Sequence, residues 1–409
     1  METFIIRGGR PLVGDVFVSG SKNAALPLLF ATIVTGGTSE IGHLPDISDI
    51  RVTLTILSAM GAEITRTAPG RVRISTDRMT GEDPPMALTS KIRASTYLLG
   101  AMLARFGRAR VGGYGGCDFS ARPIDMHLAA ARAFGATEEG ELLTSPRLVG
   151  GNISFHTVSV GATVNALFLA VAAEGESVIE NAATEPHILA LAEFFRSAGA
   201  KIEISGRQIR VTGAKLHGGH AEVIPDMIEA GTYLLCAPIT GGNVRVHGAR
   251  AEELTALTDA LSLSGVEVTS RDGVLSARGR PYLPIDIETA PYPGFATDLH
   301  PPTVPLLALG VGGRIREGVF PERFGYLSEL ARFGLSFSRE GNGVRIFPSR
   351  FHPADVRAPD LRGGVAAVLA ALFADGKSRI SDAGKILRGY EGLAGKLTAL
   401  GADIRLSSE

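Results

Sequence analysis

One phrase recurs six times along the chain: an apolar helix-like segment, a glycine, then a short alternating strand. It first reads Leu57-Ser58-Ala59-Met60-Gly61-Ala62-Glu63-Ile64, and returns as Ala133-Phe134-Gly135-Ala136 and Ser197-Ala198-Gly199-Ala200-Lys201-Ile202. Three further copies are Leu263-Ser264-Gly265-Val266-Glu267-Val268, Arg332-Phe333-Gly334-Leu335-Ser336-Phe337 and Ala399-Leu400-Gly401-Ala402-Asp403-Ile404. Successive glycines are 74, 64, 66, 69 and 67 residues apart. A glycine just after a helical pattern takes the left-handed conformation that turns the chain into the next strand.

A second phrase keeps the same beat. Leu28-Leu29-Phe30-Ala31 runs up to Gly36-Gly37, and Tyr97-Leu98-Leu99-Gly100-Ala101-Met102 to Gly107. The same shape precedes Gly175, Gly242, Gly313 and Gly376. These segments are apolar nearly all round, Val365 to Leu372 most clearly, so each predicts a buried helix. Strand-rich stretches such as Val72–Ser75, Ile209–Val211 and Val344–Ile346 fill the spaces between. Each unit of about 67 residues then holds two helices, one of them buried, and several strands.

Buried helices ringed by strands predict an α/β fold: a two-domain inside-out α/β barrel of six repeats, three per domain. The expected domains are residues 21–229, which carry the cysteine loop described below, and 1–20 plus 230–409. The crossings are placed at Ser21-Lys22-Asn23 and just after Pro225-Asp226. The ligand site is expected in the interdomain cleft, a preferred place for pockets.

Composition excludes several functions. A net charge of −1 gives no basic footprint for nucleic acid, and no Lys/Arg run suits a membrane surface. The early apolar run Ala24–Val34 spans 11 residues and contains Pro27, too short to cross a bilayer; it also lacks the flanks of a signal peptide. Two cysteines, Cys117 and Cys236, are no disulfide framework for 409 residues and fit a reducing compartment. A cytoplasmic protein is expected. Phosphate-loop motifs fail: Gly376-Lys377-Ser378 has Ala371 where the first glycine is needed, and Gly395-Lys396 has Tyr390 there and Leu397 in place of Ser or Thr. G-x-S-x-G, H-E-x-x-H and C-x-x-C are absent and the histidines are scattered, so no metal and no cofactor are expected.

Chemistry concentrates in Gly113-Tyr114-Gly115-Gly116-Cys117-Asp118-Phe119-Ser120-Ala121-Arg122-Pro123-Ile124-Asp125-Met126-His127. Three glycines within four residues suit a loop, and a thiol near an arginine is a usable acid or nucleophile. The alternative is a surface loop with an incidental cysteine. Basic residues also recur where a repeat's helix begins or in a turn beside one: Lys22, Arg93, Arg122, Arg323, Arg362 and Arg388. Cations there oppose the helix dipole, so the pattern points to anion sites shared by backbone N–H groups and side-chain forks. Asp298, in a Gly/Pro turn just before a helix, is either an N-cap or, among several arginines, an ionised general base. Unaided by likeness, the residues describe a two-domain enzyme for a multiply anionic substrate.

At this point the motifs resemble a family. Gly20 to Pro27, the Gly-Gly-Cys and Ala-Arg-Pro-Ile-Asp-Met-His segments and Val158–Thr163 carry the likeness. So do Glu180–Ala183 with Glu185-Pro186, Phe295–Asp298 and Arg388-Gly389-Tyr390-Glu391. Together they resemble the enolpyruvyl transferases over essentially the whole length, within them the branch whose acceptor is UDP-N-acetylglucosamine, a step of peptidoglycan synthesis. The resemblance implies an addition–elimination: phosphoenolpyruvate is protonated at its methylene, an acceptor hydroxyl adds to the cationic carbon, and phosphate leaves to give an enol ether.

By position, the resemblance implies that Lys22, Arg122 and Arg388 hold phosphoenolpyruvate, with Arg93 near its phosphate. Asn23 would orient both substrates. Cys117 would be the loop cysteine that adds to phosphoenolpyruvate and is alkylated by fosfomycin, and Asp298 would take the acceptor's proton. The uridine nucleotide would be met by Arg122, Pro123, Ile124, Asp125 and Met126, by Ser159, Val160 and Gly161 at the diphosphate, and by Asp298 and Val319. The implied partners are phosphoenolpyruvate and a uridine nucleotide; no obligate protein partner is evident.

Departures from the family pattern cluster on the acceptor side. Thr157 stands where Lys or Arg would meet the diphosphate, Met227 replaces the Arg of Pro-Asp-Arg-Ile-Glu, Leu387 replaces an Asp and Glu322 an Asn. Each lost charge-assisted hydrogen bond is worth roughly 1.5–3 kcal/mol. Two alternatives therefore stand beside the main reading: a paralogue using UMP or another uridine nucleotide in nucleoside-antibiotic synthesis, and a catalytically silent regulatory paralogue.

Overall fold

The structure, a computed structural model, describes residues 2–115 and 123–408. These fall into two compact units, one of residues 2–19 and 225–408, the other of the described residues between 20 and 224.

The recurrent glycine works as expected, six times over. Gly61, Gly135, Gly199, Gly265, Gly334 and Gly401 all lie at φ between 90° and 104°. After each glycine the next N–H reaches back five residues to a helix carbonyl: Ala62 to Leu57, Ala136 to Ala131, Ala200 to Phe195, Val266 to Leu261, Leu335 to Leu330 and Ala402 to Leu397. This is the Schellman closure, and the donor residue is in every case buried and apolar, which seals the turn against the core. Only a residue without Cβ adopts that φ at little cost.

Among the described residues, six helices are buried over most of their surface: α1 (Lys22–Thr35), α2 (Tyr97–Phe106), α3 (Val160–Ala172), α4 (Met227–Thr240), α5 (His300–Leu309) and α6 (Leu361–Phe373). The first three pack on one another in the unit of residues 20–224, the last three in the other. Each unit thus has its own apolar core, and the two share no residue. The outer helices, such as Pro186–Ser197, are amphipathic, and this one lays its buried face chiefly on α1.

The sheets close each unit on itself. In residues 20–224, Arg71–Ser75 lies between Thr38–Gly42 and Glu63–Ala68, antiparallel to both, and His220–Glu222 returns from the unit's far end to pair parallel with Thr38–Gly42, Ala221 opposite Ile41. In the other unit Glu2–Arg7 lies between Lys377–Ser381 and Asp403–Ser408, antiparallel to both, with Ile5 opposite Arg379 and Arg405. That pairing draws residues 2–19 into the C-terminal unit. No helix among the described residues is long and apolar enough to cross a membrane.

Helix starts differ in detail from the sequence reading. Lys22 is inside α1, because Ser21 supplies the cap by accepting from the Ala24 N–H. Arg362 is the second residue of α6, because the carboxylate of Asp360 accepts the N–H groups of Arg362 and Gly363. Arg93 opens a tighter 3-10 turn, Arg93–Thr96, that leads into α2. Cys236 is wholly buried in α4; burial pushes its thiol up to about 12, so it packs as a small apolar group.

Candidate active site

In the unit of residues 225–408 the chemistry gathers on Asp298. The N-cap position of α5 is held by Leu299 with no side-chain cap bond, so Asp298 is not spent on the helix. Its Oδ1 accepts from Arg323 Nη1 at 2.7 Å, and its Oδ2 from Arg362 Nε at 3.1 Å, with Nη2 at 2.9 Å. The two guanidiniums are 3% and 2% exposed while Asp298 is 26% exposed, so the carboxylate is the accessible part of this cluster. Burial alone would raise its carboxyl. The charges of Arg362 and Arg323 overcome that and hold it far below the usual carboxylate range. At neutral pH it is an ionised acceptor with a fixed direction.

The clamp is itself supported. Arg362 lies over the ring of Tyr390 at 5.3 Å. The Thr232 hydroxyl donates to the Ile228 carbonyl at 2.8 Å, which leaves its lone pair for the Tyr390 hydroxyl at 2.9 Å. Val319 stands in the turn before Arg323, and Arg388, half-buried, follows the short helix Gly384–Leu387.

In residues 20–224 three segments named from the sequence come together. They are the Arg93–Thr96 turn, the start of the helix Asp125–Ala133 with Pro123 and Ile124 before it, and the start of α3 at Ser159-Val160-Gly161. The side chain that joins them is Asn165. Its Nδ2 reaches the Thr96 carbonyl at 3.1 Å, His127 Nδ1 at 2.7 Å and the Gly161 carbonyl at 3.4 Å, while its Oδ1 accepts from the Gly100 N–H at 2.7 Å. Burial, with the charge of Arg93, lowers the His127 imidazole to about 4, so the ring is neutral. Accepting at Nδ1 then places its proton on Nε2. Glycine at position 161 lets the ring lie close: a Cβ there would stand 3.0–3.2 Å from the His127 ring and press on it.

Lys22 Nζ lies 2.7 Å from Asp49 Oδ2, a carboxylate in the first turn of the helix Ser48–Ala59; Asn23, the next residue of α1, is half-buried. Met126 packs against the apolar core of the unit. Cys117 and Arg122 lie outside the described residues. Of the four departures, Thr157 and Glu322 are exposed, whereas Met227 and Leu387 pack against the core of their unit. Sequence reasoning missed Asn165 and Asp49. A lone amide inside the otherwise apolar Val164–Val171 was the signal for the first; nothing local announced the second.

The sequence pattern of the family EPSP synthase (3-phosphoshikimate 1-carboxyvinyltransferase) matches residues 6–397. The chain belongs to this family of enolpyruvyl transferases. This enolpyruvyl transferase is 42% identical over 420 residues, all of both chains, to a UDP-N-acetylglucosamine 1-carboxyvinyltransferase of Trichlorobacter lovleyi. It is 42% identical over 413 residues, 99% of each chain, to UDP-N-acetylglucosamine 1-carboxyvinyltransferase 3 of Caldanaerobacter subterraneus. Among solved structures it resembles the enolpyruvyl transferase NikO from Streptomyces tendae, with a TM-score of 0.88 and 25% identity over 100% of this chain and 99% of that one. The repeat-built α/β fold read from the glycine spacing is the fold of the family.

Proposed function

We propose that this transferase moves the enolpyruvyl group of phosphoenolpyruvate to a hydroxyl of UDP-N-acetylglucosamine, releasing phosphate, as a cytoplasmic step toward peptidoglycan. The full-length 42% identity to enzymes of that name carries the reading. The site's chemistry supports it. The acceptor hydroxyl donates to Asp298, whose direction is set by two buried guanidiniums, and its oxygen adds to the cationic carbon of protonated phosphoenolpyruvate. Collapse of the tetrahedral adduct expels phosphate and leaves the enol ether.

Lys22, Arg93, Arg122 and Arg388 supply the positive charge for a substrate that carries both phosphate and carboxylate, with Asn23 beside them. The free N–H groups of Val160 and Gly161 at the start of α3 receive the diphosphate, and Ser159 holds that start in place. Pro123 to Met126 and Val319 contact the nucleotide. Cys117 acts as the loop acid.

A second reading keeps the reaction and changes the acceptor to UMP or a related uridine nucleotide. Thr157 and Met227 favour it, since neither brings a cation to the diphosphate. Phosphate release from phosphoenolpyruvate, measured with UDP-N-acetylglucosamine and UMP side by side, separates the two. Release with the sugar nucleotide is expected. Release with UMP alone would replace the acceptor, and no release with any uridine nucleotide would make the chain a silent paralogue.

A further inference from the structure

Glu317 ends the strand Gly313–Glu317 with its side chain wholly buried. Its Oε1 accepts from the Thr289 hydroxyl at 2.5 Å and from the N–H groups of Val319 and Phe320 at 2.8 and 2.9 Å. Its Oε2 accepts from the Thr297 hydroxyl at 2.9 Å. A buried carboxylate is costly unless its lone pairs are satisfied, and four donors satisfy this one. The His300 ring, 3.6 Å from Oε2, is kept neutral by its own burial and by the charge of Arg323, so it adds no cation.

The contacts have a direction. A threonine hydroxyl owns one proton, and that of Thr297 goes to Glu317. The remaining lone pair of Thr297 accepts from Arg323 Nη1 at 3.1 Å, and the other hydrogen of that nitrogen goes to Asp298 at 2.7 Å. From the buried strand end to the accessible carboxylate, each group fixes the next.

We infer that Glu317 is a positioning residue for the reaction, setting through Thr297 and Arg323 where the Asp298 carboxylate stands. It ties the Val319–Phe320 turn to the same point. The inference rests on the reading of Asp298 as the base.

Three full-length variants test it. Glu317→Gln turns an acceptor toward Thr297 into a donor; Thr297→Val deletes the link and leaves Glu317 intact; Thr297→Ser restores the hydroxyl. The readouts are kcat and the KM for phosphoenolpyruvate, and the 13C carboxyl resonance of Asp298 in the free protein, assigned against Asp298→Asn. In Glu317→Gln and Thr297→Val, kcat is expected to fall about tenfold or more while the KM stays within about twofold, and Thr297→Ser is expected to behave as wild type. The Asp298 resonance is expected not to respond to acid in the wild type and to titrate in the first two variants. A folded Thr297→Val enzyme with wild-type kcat would overturn the inference, and this variant decides the matter should Glu317→Gln not fold. An inactive wild type would instead remove the role given to Asp298; the link from Glu317 would then stand or fall on the resonance alone.

Discussion

Where a side chain caps a buried helix, it is a hydroxyl in residues 20–224 and a carboxylate in residues 225–408. Ser21 caps α1 and Ser159 caps α3, each by accepting one N–H. Asp226 and Asp360 cap α4 and α6, each by accepting two. The remaining pair, α2 and α5, have no side-chain cap bond. A hydroxyl leaves the positive end of the helix dipole available to an incoming anion, and a carboxylate neutralises it from within. One three-repeat plan thus yields two kinds of unit. In the proposed function, residues 20–224 offer backbone N–H groups to a phosphate. Residues 225–408 compensate their charges internally, Asp298 against Arg323 and Arg362, Glu229 against Lys396 at 2.7 Å.

The largest effect is expected at Asp298, the proton acceptor proposed for the internally compensated unit. Asp298→Asn removes the acceptor for the hydroxyl proton, and kcat is expected to fall about 10²–10⁴-fold with little change in either KM. A loss confined to the KM of the nucleotide would make Asp298 a binding residue and erase the contrast.

A smaller effect is expected at Met227, which packs against the core at the first turn of α4. Were its lost charge a cost to acceptor affinity, Met227→Arg would lower the KM for the sugar nucleotide about tenfold and leave that for phosphoenolpyruvate unchanged. No change in either would mean that this start does not take part in anion binding.

The smallest effect concerns stability. Glu229 is 1% exposed, and burial pushes its carboxyl up to about 7 although Lys396 and the Ser19 N–H oppose the rise. A raised carboxyl is protonated in the folded state over a range where the unfolded chain has already released its proton. Its contribution is therefore complete below the ordinary carboxylate range and is lost as pH rises through about 7. The melting temperature is expected to decline from pH 5 to 7.5 by about a few degrees more in the wild type than in Glu229→Gln. Parallel curves would show that Glu229 is ionised throughout.

How much was legible in the sequence follows from the range of each interaction. The repeat could be read because a Schellman closure needs only a helix end, a glycine and one apolar residue, all adjacent. The apolar helices could be read because burial on every side leaves no polar stripe. Asp298 could be named but its state could not, since its partners are 25 and 64 residues away and its role as cap or base turned on them. The Lys22–Asp49 pair and the Glu317 relay are equally non-local. The cap contrast sat in the sequence as Ser21, Ser159, Asp226 and Asp360, but it had meaning only once the helix starts were placed to the residue. The residues around Cys117 and Arg122 lie outside the described structure, and their roles still rest on likeness to the family.

The claim that residues 20–224 receive the nucleotide's diphosphate at a hydroxyl-capped helix is tested most directly at Ser159. Aspartate is as good a cap as serine, so Ser159→Asp keeps the helix start and gives it the carboxylate found in the other unit. Calorimetric titration with UDP-N-acetylglucosamine is expected to show binding weakened by about tenfold or more, at an unchanged or higher melting temperature. Binding to a folded Ser159→Asp protein as tight as to the wild type would contradict the account.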